Sequence, residues 1–172
     1  MAQREKAETI ELREFVANFK FSREMLGKSQ GDIGRAANVT QEFISQLESA
    51  STSIGLDTMS ELSEAVQIPL YLLVDPAFKA SFNFKQRASI WKDYVSQRPY
   101  CEFGSSERVI FGKNFKERRE NIKFSQRDIY KKMGFAQADI VFLEQGKISS
   151  SITTLANLAR TVGRSLSFLL KP

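Results

Sequence analysis

Apolar residues recur along the chain at the three- and four-residue spacing of one helical face. Leu12, Phe15, Val16, Phe19 and Leu26 predict a first helix, and Ser29 and Thr40 are placed to cap the next two. Those two helices carry their inner positions at Ile33, Ala37, Val39, Ile44 and Leu47. Met59, Leu62 and Val66 predict a fourth helix with Asp57 near its start. A fifth short helix, PLYLL, opens at Pro69 and ends at Asp75-Pro76. The same order then returns: Phe111, Phe115 and Ile122, a Ser125 cap, Leu155, Leu158 and Val162, and finally Leu166 and Leu169. The pattern predicts five short helices, twice.

The two halves align without a gap at a constant offset of 96 residues, Phe15 to Pro76 on Phe111 to Pro172. Identities include Phe15/Phe111, Phe19/Phe115, Arg23/Arg119, Gln30/Gln126, Ile33/Ile129, Gln41/Gln137, Ile44/Ile140, Leu47/Leu143 and Glu48/Glu144. This is an internal repeat whose period is too long for a solenoid. It divides the 172 residues into a first domain with an N-terminal extension (1–76), a linker (77–106) and a second domain (107–172). Domains of this size are near the lower limit for a self-sufficient core, and the 14 phenylalanines supply apolar surface to compensate. In the linker, Phe84, Ala88, Trp91 and Val95 share one helical face and Pro99 ends the pattern. That face either packs on the domains or, with Phe78, Phe82 and Tyr94, joins two chains into a homodimer.

Within each copy, SQGDIGRAANVTQEFISQLE and SQRDIYKKMGFAQADIVFLE have the layout of two helices around a tight turn. Such a unit needs apolar residues between its helices and a polar, uncrowded outer face on the second, the one that enters the major groove. Thr40, Gln41, Glu42, Ser45 and Gln46 form that outer face in the first copy. Glutamine makes the bidentate contact that reads adenine, and Ser or Thr meets a base edge or a phosphate. In the second copy the matching face is Gln137, Ala138, Val141 and Phe142. Val141 and Phe142 cannot hydrogen-bond a base: they meet thymine methyls, contact a protein, or, for Phe142, fold into the core.

On these residues, and VTQEFISQLE above all, the chain resembles the lambda-repressor-like class of helix-turn-helix proteins, the Cro and phage-repressor type, over about 62 residues of each copy. FKFSREMLGKSQGDIG also looks somewhat like a POU-specific domain, but no homeodomain follows. The resemblance implies an all-α protein of two tandem five-helix domains with the third helix of each as recognition helix, and a bacterial or phage origin. It implies that Gln30 and Gln126, opening the second helices beside the caps Ser29 and Ser125, touch phosphates. It also implies structural ion pairs, Arg23 with Glu48 and Arg119 with Glu144.

Charge separates the copies. Residues 15–76 hold four basic and eight acidic side chains, a balance of −4, and residues 111–172 hold twelve and five, a balance of +7. Phosphate neutralisation supplies most non-specific affinity for DNA. The second copy is therefore the expected grip, through Arg127, Lys131, Lys132 and Lys147, although Lys131 and Lys132 are equally explained as a solvated face. The acidic first copy and the Val141-Phe142 pair keep open a different role, in which one or both modules bind a protein.

Composition removes other classes. There is no histidine and a single cysteine, Cys101, so no Cys/His metal site, internal disulfide or His-dependent nucleophile is expected. With no glycine-rich phosphate loop either, the chain is not expected to be an enzyme or to hold a cofactor. No apolar stretch is long enough to cross a membrane. The reading is a soluble cytoplasmic DNA-binding regulator, expected to form a homodimer on double-stranded DNA.

Overall fold

Thr9 starts the first helix, α1 (Ile10–Met25), its hydroxyl accepting from the Leu12 amide at 3.3 Å. This is a computed structural model that describes residues 9–102 and 104–172. Residues 1–8, the start of the predicted N-terminal extension, lie outside the described residues. In the first copy α1 is followed by α2 (Gln30–Ala36), α3 (Gln41–Glu48), α4 (Leu56–Val66) and α5 (Leu70–Leu73), with Pro69 as the cap of α5. Between the copies stand α6 (Phe78–Ser81), a 3-10 turn over Phe84–Gln86 and α7 (Arg87–Gln97). The second copy comprises α8 (Ser106–Asn121), α9 (Gln126–Met133), α10 (Gln137–Glu144), α11 (Ile152–Thr161) and α12 (Leu166–Leu169). The architecture is all-helical, with no strand among the described residues and no helix long and apolar enough to cross a membrane.

The copies repeat at the level of single bonds. Phe15 stacks on Phe19 with ring centroids 5.9 Å apart and planes at 7°, and Phe111 on Phe115 at 5.9 Å and 8°. Asn18 donates to the carbonyls of Leu73 and Asp75, tying α5 to α1, and Asn114 donates to those of Leu169 and Lys171, tying α12 to α8. Both helices that open with glutamine have a complete capping box, Ser29 with Asp32 and Ser125 with Asp128. Hydrogen bonds from the serine hydroxyl and amide hold each aspartate below its ordinary pKa.

The buried apolar residues of both copies form one cluster, from Leu12 to Leu170, which answers the small size of each copy. The seam between them is two-fold. Gly55 and Ser151, positions related by the offset, bridge antiparallel. The Leu56 amide donates to the Ser150 carbonyl at 3.1 Å, and its counterpart, the Ile152 amide, donates to Ile54 at 3.0 Å. α1 packs on α11 as α4 packs on α8, and α5 meets its own equivalent, α12. Each contact appears in both directions, as in an isologous dimer interface.

Polar groups complete the seam unequally. On one side Glu11 pairs with Arg160, whose Nη2 lies 2.6 and 2.5 Å from the two carboxylate oxygens. The equivalent residues on the other side are Glu107 and Glu64, two acids. Arg98, just past α7, stands between them, 2.8 Å from Glu64 and 3.5 Å from Glu107. Glu107 is only 1% exposed and also accepts from Ser60 at 2.6 Å and from the Tyr94 hydroxyl at 2.5 Å. Burial and the neighbouring Glu107 charge push the Tyr94 hydroxyl far above its ordinary pKa, so Tyr94 stays a donor. Asp57 takes a bidentate contact from Arg108 and the Ser105 hydroxyl. Burial raises its pKa, but these bonds outweigh that and hold it below the ordinary value.

The linker departs from its predicted phase. Ala88 and Val95, expected on the packed face, are exposed, and Tyr94 is the buried residue of α7. The cause is that α7 begins only at Arg87. Phe84 belongs to the preceding turn, where it meets Phe82 and Phe78, while the Tyr94 ring lies against Tyr71 and Trp91. Arg98 is extended before Pro99, which ends the helix as expected of a residue preceding proline.

Candidate nucleic-acid interface

In the first copy, Ile44 and Leu47 fix α3 to the core, and Thr40 caps it by accepting from the Phe43 amide at 3.1 Å. This leaves Thr40, Gln41, Glu42, Ser45 and Gln46 exposed along the outer face. The turn between α2 and α3 passes through Asn38 in the left-handed region, φ 52°, a conformation that asparagine tolerates better than most residues. Gly34 is required there: a Cβ would stand 2.8 Å from the Val39 carbonyl oxygen, so the turn closes directly on α2.

The second copy places its third helix differently. Gly134 supplies the left-handed residue, but the position of Gly34 is taken by Tyr130, which is exposed. The close approach has moved to α8, where a Cβ on Gly112 would be 2.3 Å from the Leu143 carbonyl oxygen. The first copy has Val16 at that position. α10 thus leans on α8, whereas α3 leans on α2. Its cap, Ala136, makes no side-chain hydrogen bond. Gln137 and Ala138 are exposed, Val141 is half-buried, and Phe142 is 45% exposed, so Phe142 does not fold into the core.

Around α10 the basic side chains Arg127, Lys131, Lys132 and Lys147 are exposed, with Lys132 4.5 Å over the Phe124 ring. Lys147 follows Gly146 in a turn closed by its own amide on the Phe142 carbonyl, and the first copy has the same turn with Ser51 in place of the lysine. Ser29 and Ser125 are exposed at the starts of α2 and α9. Gln30 and Gln126 are half-buried there. Each donates one amide N–H inward, to Glu48 at 3.0 Å and to Glu144 at 2.9 Å, which leaves the other N–H for an outside group.

Those glutamates are anchored by arginine. Arg23 Nε and Nη2 lie 2.6 and 2.9 Å from the Glu48 oxygens, and Arg119 lies 2.7 and 3.2 Å from those of Glu144. Each arginine also donates to the carbonyl before the serine cap, Lys28 or Phe124. One side chain therefore joins the first helix, the start of the second and the end of the third. The pattern of the sequence did not indicate Glu107, Arg98 or Ser60, and it singled out Tyr94 only as one of the linker aromatics. Extending the repeat register four residues before Phe15 pairs Glu11 with Glu107, the one signal that pointed there.

Comparison with known proteins bears on the first copy. Residues 20–73 match the helix-turn-helix family model, so the chain carries one helix-turn-helix domain there. No curated protein and no solved structure matches the chain.

Proposed function

We propose that the chain is a sequence-specific DNA-binding transcriptional regulator in which two non-identical helix-turn-helix modules act as halves of a covalent pseudo-dimer. The observation that carries this reading is the two-fold seam through Gly55 and Ser151. A two-fold axis keeps equivalent points at equal height along itself. On this reading α3 and α10, related by that axis, meet one duplex lying across it, the arrangement that dimeric helix-turn-helix proteins achieve with two chains. The matched domain supports DNA as the ligand, and the polar outer face of α3 supports base reading there.

The modules divide the work. Arg127, Lys131, Lys132 and Lys147 supply phosphate contacts from the second, while Ser29, Gln30, Ser125 and Gln126 position both helices at the backbone. Gln41 and Gln46 read bases directly. Ala138, Val141 and Phe142 discriminate by apolar contact, thymine methyls being the matching surface. The acidic balance of the first copy does not by itself favour a protein ligand, because Asp57 and Glu64 are engaged at the seam by Arg108 and Arg98, which lie outside that copy.

A homodimer through the linker has less support, since Phe78, Phe82 and Phe84 pack within the chain and leave Val95 and Tyr100 as its exposed large apolar residues among the described ones. The exposure of Tyr130 and Phe142 favours one second reading, that the second module binds a protein through α9 and α10. Salt dependence separates the two. On random duplex DNA, replacing Lys131, Lys132 and Lys147 by Ala should make the negative slope of log K against log salt shallower by up to roughly 0.9 for each phosphate no longer neutralised. A slope identical to that of the unsubstituted chain would place these lysines away from DNA and favour the protein-binding reading.

A further inference from the structure

The groove between the first and fifth helices of the first copy is filled by the chain itself. Phe78 is buried there and stacks on Phe82 at 4.6 Å, and Phe84 meets Phe21 of α1 edge-on at 5.6 Å. Arg87 completes the cover by donating to the Val66 carbonyl at 3.2 Å. The second copy builds the same floor, with Asn114 tying α12 to α8. The Val162 carbonyl accepts at 3.1 Å from Arg118 of α8 rather than from a linker. Above that floor a groove of about 310 Å³ stays open between α8 and α12. On its wall Phe168 is 51% exposed, with the Arg164 guanidinium 4.6 Å from its ring.

We propose that this groove docks a segment of a partner protein that carries an aromatic side chain flanked by carboxylates, seated as the linker is seated in the first copy. The groove has room for a ring, its volume exceeding that of an enclosed cavity of about 150 Å³ that takes up benzene, but it is open to solvent and lined chiefly by polar side chains, so its contacts are those of Phe168 and the cations. Charge selects the partner. Arg118, Arg164 and Lys171 line the groove against a single acid, Glu117, whereas the first copy has Ser22, Ile68 and Asp75 at the positions of the three cations. An incoming ring stacks beside Phe168 and under the Arg164 guanidinium, and adjacent carboxylates meet Arg164 and Lys171. None of the lining residues lies on α9 or α10, so docking here leaves the proposed DNA face free.

The test is a fluorescence-anisotropy titration of the full chain with a labelled synthetic peptide. The peptide has the sequence of residues 77–86, with Lys79 and Lys85 replaced by Glu. Saturable binding is expected in the micromolar range. It should weaken at least about tenfold for the Arg164→Glu, Lys171→Glu protein and for Phe168→Ser, and also when the peptide keeps its two lysines. Thermal melting of both protein variants, whose changes are on exposed side chains, should match that of the parent. Either of two titration results overturns the proposal: no saturation up to about 1 mM, or equal affinity for the parent and the charge-reversed protein. A concentration-dependent dimer in sedimentation without peptide, abolished by Phe168→Ser, also overturns it by assigning the groove to a second copy of the chain.

Discussion

Arg23 and Arg119 show how much one residue can organise when its donors match a carboxylate and a carbonyl at once. The guanidinium fork takes both glutamate oxygens and closes the turn before the serine cap, a geometry that lysine cannot reproduce. Glu48 and Glu144 have side chains only 4% exposed, so truncating the arginine strands a buried carboxylate. Arg119→Ala is expected to cost about 3–5 kcal/mol in chemical denaturation, with Arg119→Lys recovering only part of it. A change below about 0.5 kcal/mol, the range of an inert surface substitution, would contradict that role. These pairs were legible through the family resemblance, which implied them, and both partners recur at one spacing in the two copies. Glu107 was not. It looks like an ordinary solvated acid on a helix, and what buries it is the approach of α4, 47 residues away in sequence, and the fold-back of the preceding helix, α7.

At the scale of the element, the helices were legible because their caps and apolar faces are local properties of the chain. Ser29, Thr40 and Ser125 cap where the pattern placed them. The phase of the linker helix was not legible, since a 3-10 turn ahead of Arg87 breaks the count that joined Phe84 to Ala88. The different seating of α3 and α10 rests on which neighbouring helix carries the glycine, Gly34 on α2 or Gly112 on α8. A glycine inside a helix reads in the sequence only as a weakened helix former. The close contact it permits becomes visible when the partner carbonyl is in place. Gly112→Ala should therefore destabilise the protein by about 1–3 kcal/mol, although alanine is the better helix former. Thermal melting measures this, and a melting temperature raised by Gly112→Ala would show that α10 does not press on α8. The expected direction is opposite at an unobstructed position: Val16, the equivalent in the first copy, already carries a larger side chain there.

The whole molecule is held as a pair by a two-fold seam that its own linker repairs. Glu11 and Arg160 pair directly, while the mirrored position brings Glu107 towards Glu64 and depends on Arg98. Arg98→Ala should loosen the seam and lower the melting temperature. Adding Glu64→Arg should restore much of it, because this rebuilds on the second side the pair already present on the first. Failure of that rescue, with Glu64→Arg tolerated on its own, would show that Arg98 acts through packing on Tyr94 and not through charge. The repeat itself was plain from the offset of 96 residues, but its symmetry was not, since only the contacts across Gly55 and Ser151 show that the copies face each other about an axis. From that symmetry comes the central claim, that one chain serves as a dimer on DNA. Its most direct test is the stoichiometry of the complex on a duplex selected by the protein from a random pool, measured by native mass spectrometry together with hydroxyl-radical footprinting. The account predicts one chain per duplex, protecting two unlike half-sites about one helical turn apart. Two chains on a perfect palindrome, or one chain protecting a single half-site, would contradict it.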